Sequence, residues 1–108
     1  MSKGYEIIAI LKPKPGNQDR VEELLNIAAQ EVKATEPGTT RYHLQRETKG
    51  DAPNFVIFET YADKDALMFH AKSEGLKKLQ TAVNGEDLLR EPMTVMIVKD
   101  VGGFKSKL

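Results

Sequence analysis

The chain has 108 residues, of which 40% are hydrophobic, and it contains no cysteine. These values suit one compact domain and exclude disulfides, thiolate nucleophiles and cysteine metal sites. The 16 basic and 16 acidic residues cancel without forming a basic patch, so we expect neither nucleic acid nor a membrane as a partner. With only His43 and His70 as soft ligands, we expect no metal centre. The apolar runs are too short to cross a bilayer and no signal segment is evident, which predicts a soluble, non-secreted protein.

The N-terminal half reads as strand, helix, strand. Residues 5–11 are apolar at nearly every position and predict a strand covered on both faces. Apolar residues then recur at helical spacing from Asn17 or Gln18 onward, which predicts an amphipathic helix. Glu36-Pro37-Gly38 should end that helix, because proline restricts the residue before it and glycine accepts positive φ. Residues 39–47 alternate and predict a half-exposed strand.

The C-terminal half reads as strand, helix, strand. Residues 55–61 form a β-rich run after a turn cluster at 49–54, so this strand should pair with 39–47 as a hairpin. Asp63 is a good N-cap for a single helix that closes at Asn84-Gly85, with His70 or Ala71 on its inner stripe. Residues 93–98 are again apolar on both faces.

The element order predicts a ferredoxin-like α+β fold, βαββαβ, with an antiparallel sheet and both helices on one face. Residues 1–101 would form this domain, and 102–108 a flexible tail. The other sheet face has no cover from within the chain, although the first and last strands are apolar on both faces. Burial of that face favours a homodimer with the sheets packed together.

Two segments resemble a known family. Residues 36–42, EPGTTRY, are similar to the turn and strand of antibiotic biosynthesis monooxygenase domains. Residues 58–67, FETYADKDAL, followed by His70 and Ser73, resemble a second segment of the same family. The resemblance covers nearly the whole chain except the tail, and it implies a dimeric α/β barrel that encloses a cavity.

The resemblance also implies a range of activities. Family members include oxygenases that act on phenols, quinols or related aromatics without metal or organic cofactor, and relatives isomerise small signalling molecules or degrade haem. Haem-degrading members have tryptophan where His70 stands and a haem-ligating histidine near Gln80, whereas this chain has no tryptophan. We therefore expect no cofactor and do not expect haem degradation.

His70 and Glu59 are the candidate catalytic residues. Histidine titrates near neutrality, and cofactor-free oxygenation needs a base that converts a phenol to a phenolate. The alternative is a core histidine bonded to a backbone carbonyl. Glu59 shares a strand face with apolar residues, so its pKa should be raised if that face is enclosed. Its alternative role is structural, accepting bonds from a neighbouring strand or orienting His70.

Tyr42 and Tyr61 are candidate substrate-binding residues that could position a phenolic or quinol-like molecule, although each could equally be core. His43 lies on the polar strand face, where we expect it to be solvated. The sequence thus predicts a cofactor-independent monooxygenase for a small hydrophobic or aromatic molecule. The alternatives are a non-catalytic ligand-binding or stress-response barrel and a small-molecule isomerase.

The chain ends in Ser106-Lys107-Leu108, the tripeptide that the peroxisomal import receptor recognises at a C-terminus. Gly102-Gly103 should leave these residues free to project from the fold. The tripeptide predicts a peroxisomal location if the protein is eukaryotic; the alternative is a cytoplasmic one.

Overall fold

The computed structural model describes residues 4–107 as a four-stranded antiparallel sheet with helices on one face. The strands are β1 (Tyr5–Leu11), β2 (Thr39–Arg46), β3 (Phe55–Tyr61) and β4 (Thr94–Val98). The helices are α1 (Gln18–Thr35), α2 (Lys64–Ala71) and α3 (Glu74–Gly85). The strand order β2-β3-β1-β4 is that of a ferredoxin-like α+β fold, so the predicted fold class is confirmed. No helix within 4–107 is long and apolar enough to cross a membrane.

The core lies between the helices and one sheet face. Buried and less buried residues alternate along β1 and β3, as the pleat of a strand requires. On β3 the buried positions are Phe55, Ile57, Glu59 and Tyr61. The apolar side chains of this face pack with those of α1 and α3 in one cluster, so Glu59 enters an otherwise apolar layer.

The second half of the chain carries two helices where the sequence predicted one. Asp63 caps α2 as expected, since its Oδ1 accepts from the Ala66 N–H at 2.8 Å. Ser73 then caps a new helix, α3, by accepting from the Leu76 N–H at 3.1 Å. The prediction of a continuous helix was wrong. Apolar residues keep their helical spacing across Ser73, but the serine hydroxyl accepts a backbone N–H and so starts a new helix. His70 is the one residue of α2 that is buried.

Gly38 is needed for close packing, not for the positive φ that the sequence suggested. Positive φ occurs at Gly16, in the turn that follows β1, but not at Gly38. A Cβ at Gly38 would lie 2.5 Å from the Cβ of Ala66. Glycine here lets α2 approach the α1–β2 turn, and that approach brings His70 toward the turn.

The second sheet face carries an apolar surface. The register aligns Ile8 with Phe58 on one side and with Met96 on the other. All five residues of β4 are exposed in the single chain, and Met96, which aligns with Ile8 on this face, is 39% exposed. The expectation that residues 93–98 are covered on both faces is therefore not met within one chain.

The residues after β4 form no helix or strand up to Lys107, and residues 99–107 are exposed. Ser106 and Lys107 belong to this exposed stretch. Leu108, the last residue of the predicted targeting tripeptide, lies outside the described residues.

Candidate functional site

His70 is held by a carboxylate from the turn between α1 and β2. Its side chain is 8% exposed, and its Nδ1 lies 2.8 Å from Oε1 of Glu36. The sequence left open a His70 side chain bonded to a backbone carbonyl; the partner of Nδ1 is instead the Glu36 carboxylate. The other ring nitrogen, Nε2, lies 4.0 Å from Oε1 of Glu59, too far for a direct hydrogen bond.

Glu36 is a site residue that the sequence analysis missed. It ends α1, where its backbone N–H donates to the Val32 carbonyl at 2.9 Å, and was interpreted there only as part of a helix stop. Its side chain is 2% exposed. The Thr39 hydroxyl donates to Oε1 at 3.1 Å, whereas Oε2 is buried without a hydrogen-bond partner among the described residues. The feature that could have revealed it is its place in the EPGTTRY segment that carried the family resemblance.

Glu59 lies on β3 and is buried, with 6% of its surface exposed. Burial raises the pKa of Glu59, an effect opposed by the hydrogen bond from Tyr61 and by the nearby His70. The Tyr61 hydroxyl donates to Glu59 Oε1 at 2.5 Å. A carboxyl with a raised pKa favours the protonated form and is able to donate a proton.

Two tyrosine rings flank the His70 ring. The ring centroids of Tyr42 and Tyr61 lie 5.8 and 5.4 Å from that of His70. Burial, followed by the charges of Glu59 and Glu36, raises the pKa of Tyr42 above its usual range. The pKa of Tyr61 is raised by burial and then by its hydrogen bond to Glu59. Both hydroxyls are therefore held in the protonated, donating form.

A cavity of about 150 Å³ lies beside this cluster. His70, Glu59 and Tyr42 form its polar part, while Tyr61 is fully buried and does not line it. The apolar wall includes Ile7, Ala9, Ile57, Leu67, Leu76 and Val95. This arrangement, an apolar chamber with a few convergent polar groups, is typical of small-molecule sites.

A larger cavity of about 430 Å³ lies beyond α3 and shares Leu79 and Met93 with the smaller one. It contains neither His70 nor Glu59, so the candidate chemistry belongs to the smaller cavity.

His43 lies apart from the site, as its exposed position on β2 requires. It pairs across the strands with Phe58 on the second sheet face, whereas its neighbour Tyr42 points to the cavity. Within residues 4–107, no three or more His, Asp or Glu side chains are grouped so as to hold a metal ion.

The fold and the cavity define a ferredoxin-like α+β protein with a buried histidine between two carboxylates. A family model of the antibiotic biosynthesis monooxygenases matches residues 4–82, and the chain belongs to this family. No curated protein matches the chain.

Solved structures agree with this family. A candidate antibiotic biosynthesis monooxygenase from Caulobacter crescentus is 26% identical, with a TM-score of 0.79 over 94% of this chain and 92% of that one. Another structure, described as an antibiotic biosynthesis monooxygenase, is also 26% identical, with a TM-score of 0.78 over 91% of this chain and 99% of its own. A Mycobacterium tuberculosis protein, 24% identical with a TM-score of 0.80 over 94% and 99%, shares the fold.

Proposed function

We propose that the protein is a cofactor-independent monooxygenase that acts on a single-ring phenol or quinol in the cavity beside His70. The observation that carries the proposal is the placement of His70. One ring nitrogen is bonded to a buried carboxylate, and the other lies 4.0 Å from Glu59 at the wall of an apolar chamber. Membership of the antibiotic biosynthesis monooxygenase family supports the reaction class.

The gap between Nε2 of His70 and Oε1 of Glu59 suits one substrate oxygen. Two atoms 4.0 Å apart can each lie at about 2.8 Å from a third atom between them. A phenolic hydroxyl in that position donates its proton to His70. The same oxygen accepts a hydrogen bond from Glu59, whose raised pKa favours the protonated form.

The reaction balances without an external reductant. His70 removes the hydroxyl proton, and the phenolate reduces O₂ as a new carbon–oxygen bond forms to the ring; the resulting peroxide anion takes that proton back from His70. The oxygen–oxygen bond of this hydroperoxide then breaks as the ring carbon loses its hydrogen as a proton, the carbon–hydrogen electron pair forms the second carbonyl, and Glu59 protonates the departing hydroxide. The products are a quinone and one water, the substrate supplies all the electrons, and the proton released from the ring replaces the one that Glu59 gave up.

The cavity volume supports a single-ring substrate. An apolar cavity of about 150 Å³ accommodates a benzene-sized molecule. Single-ring phenols fit this volume, whereas a multi-ring polyketide would need side chains to move. The apolar wall would also keep water from the reduced oxygen intermediate.

Oxygen uptake tests the proposal. Purified protein is supplied with hydroquinone, catechol and 4-methylcatechol under ¹⁸O₂, with autoxidation in buffer as the blank. We expect one ¹⁸O atom in the quinone product and one in water. His70→Ala should lower turnover by about 10²–10⁴-fold because it removes the base, while Lys78→Ala, which changes an exposed side chain on α3, should turn over as the wild type does.

Failure of the wild type to exceed autoxidation on any of these substrates would reject the oxygenase. Binding of the same molecules without oxygen consumption would instead support a ligand-binding barrel, which the small apolar cavity also suits. A rearranged product formed without oxygen uptake would identify an isomerase.

We also propose that the protein is a homodimer built through the second sheet face. The apolar row that contains Ile8, Phe58 and Met96 supports this, as does the exposure of every β4 residue. Burial of apolar surface is worth about 25 cal/mol per Å², which favours pairing of two such faces. In that assembly a partner sheet would cover β4, which carries Val95 of the cavity wall.

We propose finally that Ser106-Lys107-Leu108 directs the protein to peroxisomes in a eukaryotic cell. The exposure of Ser106 and Lys107 beyond the last strand supports access by a receptor. Residues 102–108 fused to a fluorescent reporter should co-localise with a peroxisomal marker, and the same fusion without Leu108 should stay in the cytosol. A full-length tail that leaves the reporter cytosolic would reject this proposal.

A further inference from the structure

We infer that Glu36 is a positioning residue that fixes the tautomer of His70, so that Nδ1 carries the proton and Nε2 is the free base. This inference rests on the proposed function, since it assigns the part of His70 that meets the substrate. Glu36 itself does not line the cavity.

The geometry defines which nitrogen faces which partner. Oε1 of Glu36 lies 2.8 Å from Nδ1, within hydrogen-bond range, and an ionised carboxylate only accepts. Nδ1 must therefore donate, and in a neutral imidazole this leaves the lone pair on Nε2. Nε2 is the nitrogen nearer to Glu59, which lines the cavity.

The surroundings of Glu36 are not those of a structural ion pair. His70 and Thr39 both donate to Oε1, and Oε2 is left buried with no partner among the described residues. An unsatisfied buried acceptor costs about 1–3 kcal/mol. The fold therefore keeps this carboxylate against His70 at a cost that an apolar side chain would avoid.

Two carboxyl groups and two phenol groups face the imidazole. The titratable groups that face the ring are Glu36 from the α1–β2 turn, Tyr42 from β2, and Glu59 and Tyr61 from β3. When Nε2 takes a proton from the substrate, the imidazolium lies next to the Glu36 carboxylate, which stabilises it. Glu36 thus acts through His70, without contact with the substrate.

The wild-type protein offers a direct test. With ¹⁵N-histidine, long-range ¹H–¹⁵N spectra at pH 8 report which ring nitrogen of each histidine carries the proton. The chain has only two histidines, so the second set of ring signals belongs to His43, which does not line the cavity. We expect His70 to show a protonated Nδ1 and an unprotonated Nε2. An Nε2–H tautomer, or a ring protonated at both nitrogens at this pH, would overturn the inference.

Glu36→Gln extends the test, because the amide can donate to Nδ1 where the carboxylate cannot. We expect the Nε2–H tautomer of His70 to become populated, and kcat to fall by about 10²–10⁴-fold with KM little changed. Glu91→Gln is the matched control, since Glu91 is an exposed glutamate that pairs with Lys12. A folded Glu36→Gln variant with the wild-type tautomer would contradict the inference.

The assignment of the His70 tautomer and the proposed oxygenase activity can fail independently. The tautomer is measured without substrate, so a protein that shows Nδ1–H but consumes no oxygen would keep the inference and lose the oxygenase. If Glu36→Gln fails to fold, the wild-type spectrum decides.

Discussion

At the scale of single residues, the site is defined by the burial of its polar side chains. Glu36, Glu59 and His70 are each at most 7% exposed, and the two carboxylates approach the same imidazole from opposite nitrogens. Burial raises the pKa of Glu59, and that of Tyr42 as well. The site therefore combines a hydrogen-bonded carboxylate, a histidine and a carboxyl group that tends to stay protonated.

The raised pKa of Glu59 predicts a pH-dependent cost to stability. The unfolded chain releases the Glu59 proton near the ordinary pKa of 4.5, while the folded chain holds it to higher pH. Between the pKa of Glu59 in the unfolded chain and its higher pKa in the fold, the folded state binds more protons. The free energy of unfolding therefore falls as pH rises through this range. Glu59→Gln removes this proton and keeps the acceptor for Tyr61. The variant should gain stability relative to the wild type above pH 4.5, by about 1–3 kcal/mol once Glu59 ionises in the fold.

Urea unfolding from pH 4 to 8 measures this difference, and Glu91→Gln supplies the exposed control. A constant difference between Glu59→Gln and the wild type across the range would mean that the pKa of Glu59 is not raised.

At the scale of elements, the break between α2 and α3 determines where His70 lies. α2 is only eight residues long and buries a single side chain, so it is held largely by its cap and by its neighbours. The close approach of Ala66 to Gly38 is one of these contacts. Glu36 and Gly38 belong to the same turn, so this contact also maintains the distance between Glu36 and His70.

Gly38→Ala should therefore destabilise the protein and disturb the site. The new Cβ would lie 2.5 Å from the Cβ of Ala66, and relief requires α2 to move. We expect a loss of about 1–3 kcal/mol in the free energy of unfolding, with a shift of the His70 ring resonances. Ala66→Gly in the same chain removes the opposing methyl and should restore the His70 resonances.

Gly85→Ala is the matched control for this pair, because a Cβ at Gly85 meets nothing within 4 Å. It should leave stability unchanged or raise it by up to about 1 kcal/mol through helix propensity. Equal stability of Gly38→Ala and the wild type would show that α2 is not held by close packing at this point.

At the scale of the whole molecule, the sheet has one face filled by its own helices and a second face left open, on which Ile8, Phe58 and Met96 form an apolar row. The exposed β4 residues belong to both faces, since Val95 borders the cavity and Met96 aligns with Ile8 on the open side. A partner subunit that covered β4 would therefore complete the surroundings of the cavity as well as the interface.

Met96→Lys should weaken the proposed dimer because it places a charge in the apolar row. Sedimentation equilibrium at micromolar concentration should show a wild-type dimer and a larger monomer fraction in the variant. Ile27→Lys is the control, since Ile27 is 54% exposed on α1, away from the sheet. A wild type that sediments as a monomer would reject the dimer.

The sequence by itself determined the local patterns. The two-residue repeat of a strand was enough to place Glu59 on one face with Phe55, Ile57 and Tyr61, and helical spacing placed His70 or Ala71 on an inner stripe. These features depend on the repeat of a strand or helix, which sequence spacing carries directly. Element order and connection handedness then defined the ferredoxin-like topology.

Only the tertiary structure decided which side chains meet. Glu36 and His70 are 34 positions apart, and their bond depends on the Ser73 break and on the Gly38–Ala66 approach. The sequence left open whether Tyr61 binds substrate or belongs to the core; in the fold its hydroxyl donates to Glu59 and it does not line the cavity. Such pairings depend on distances between elements of a few ångströms, which no periodic pattern in the sequence specifies.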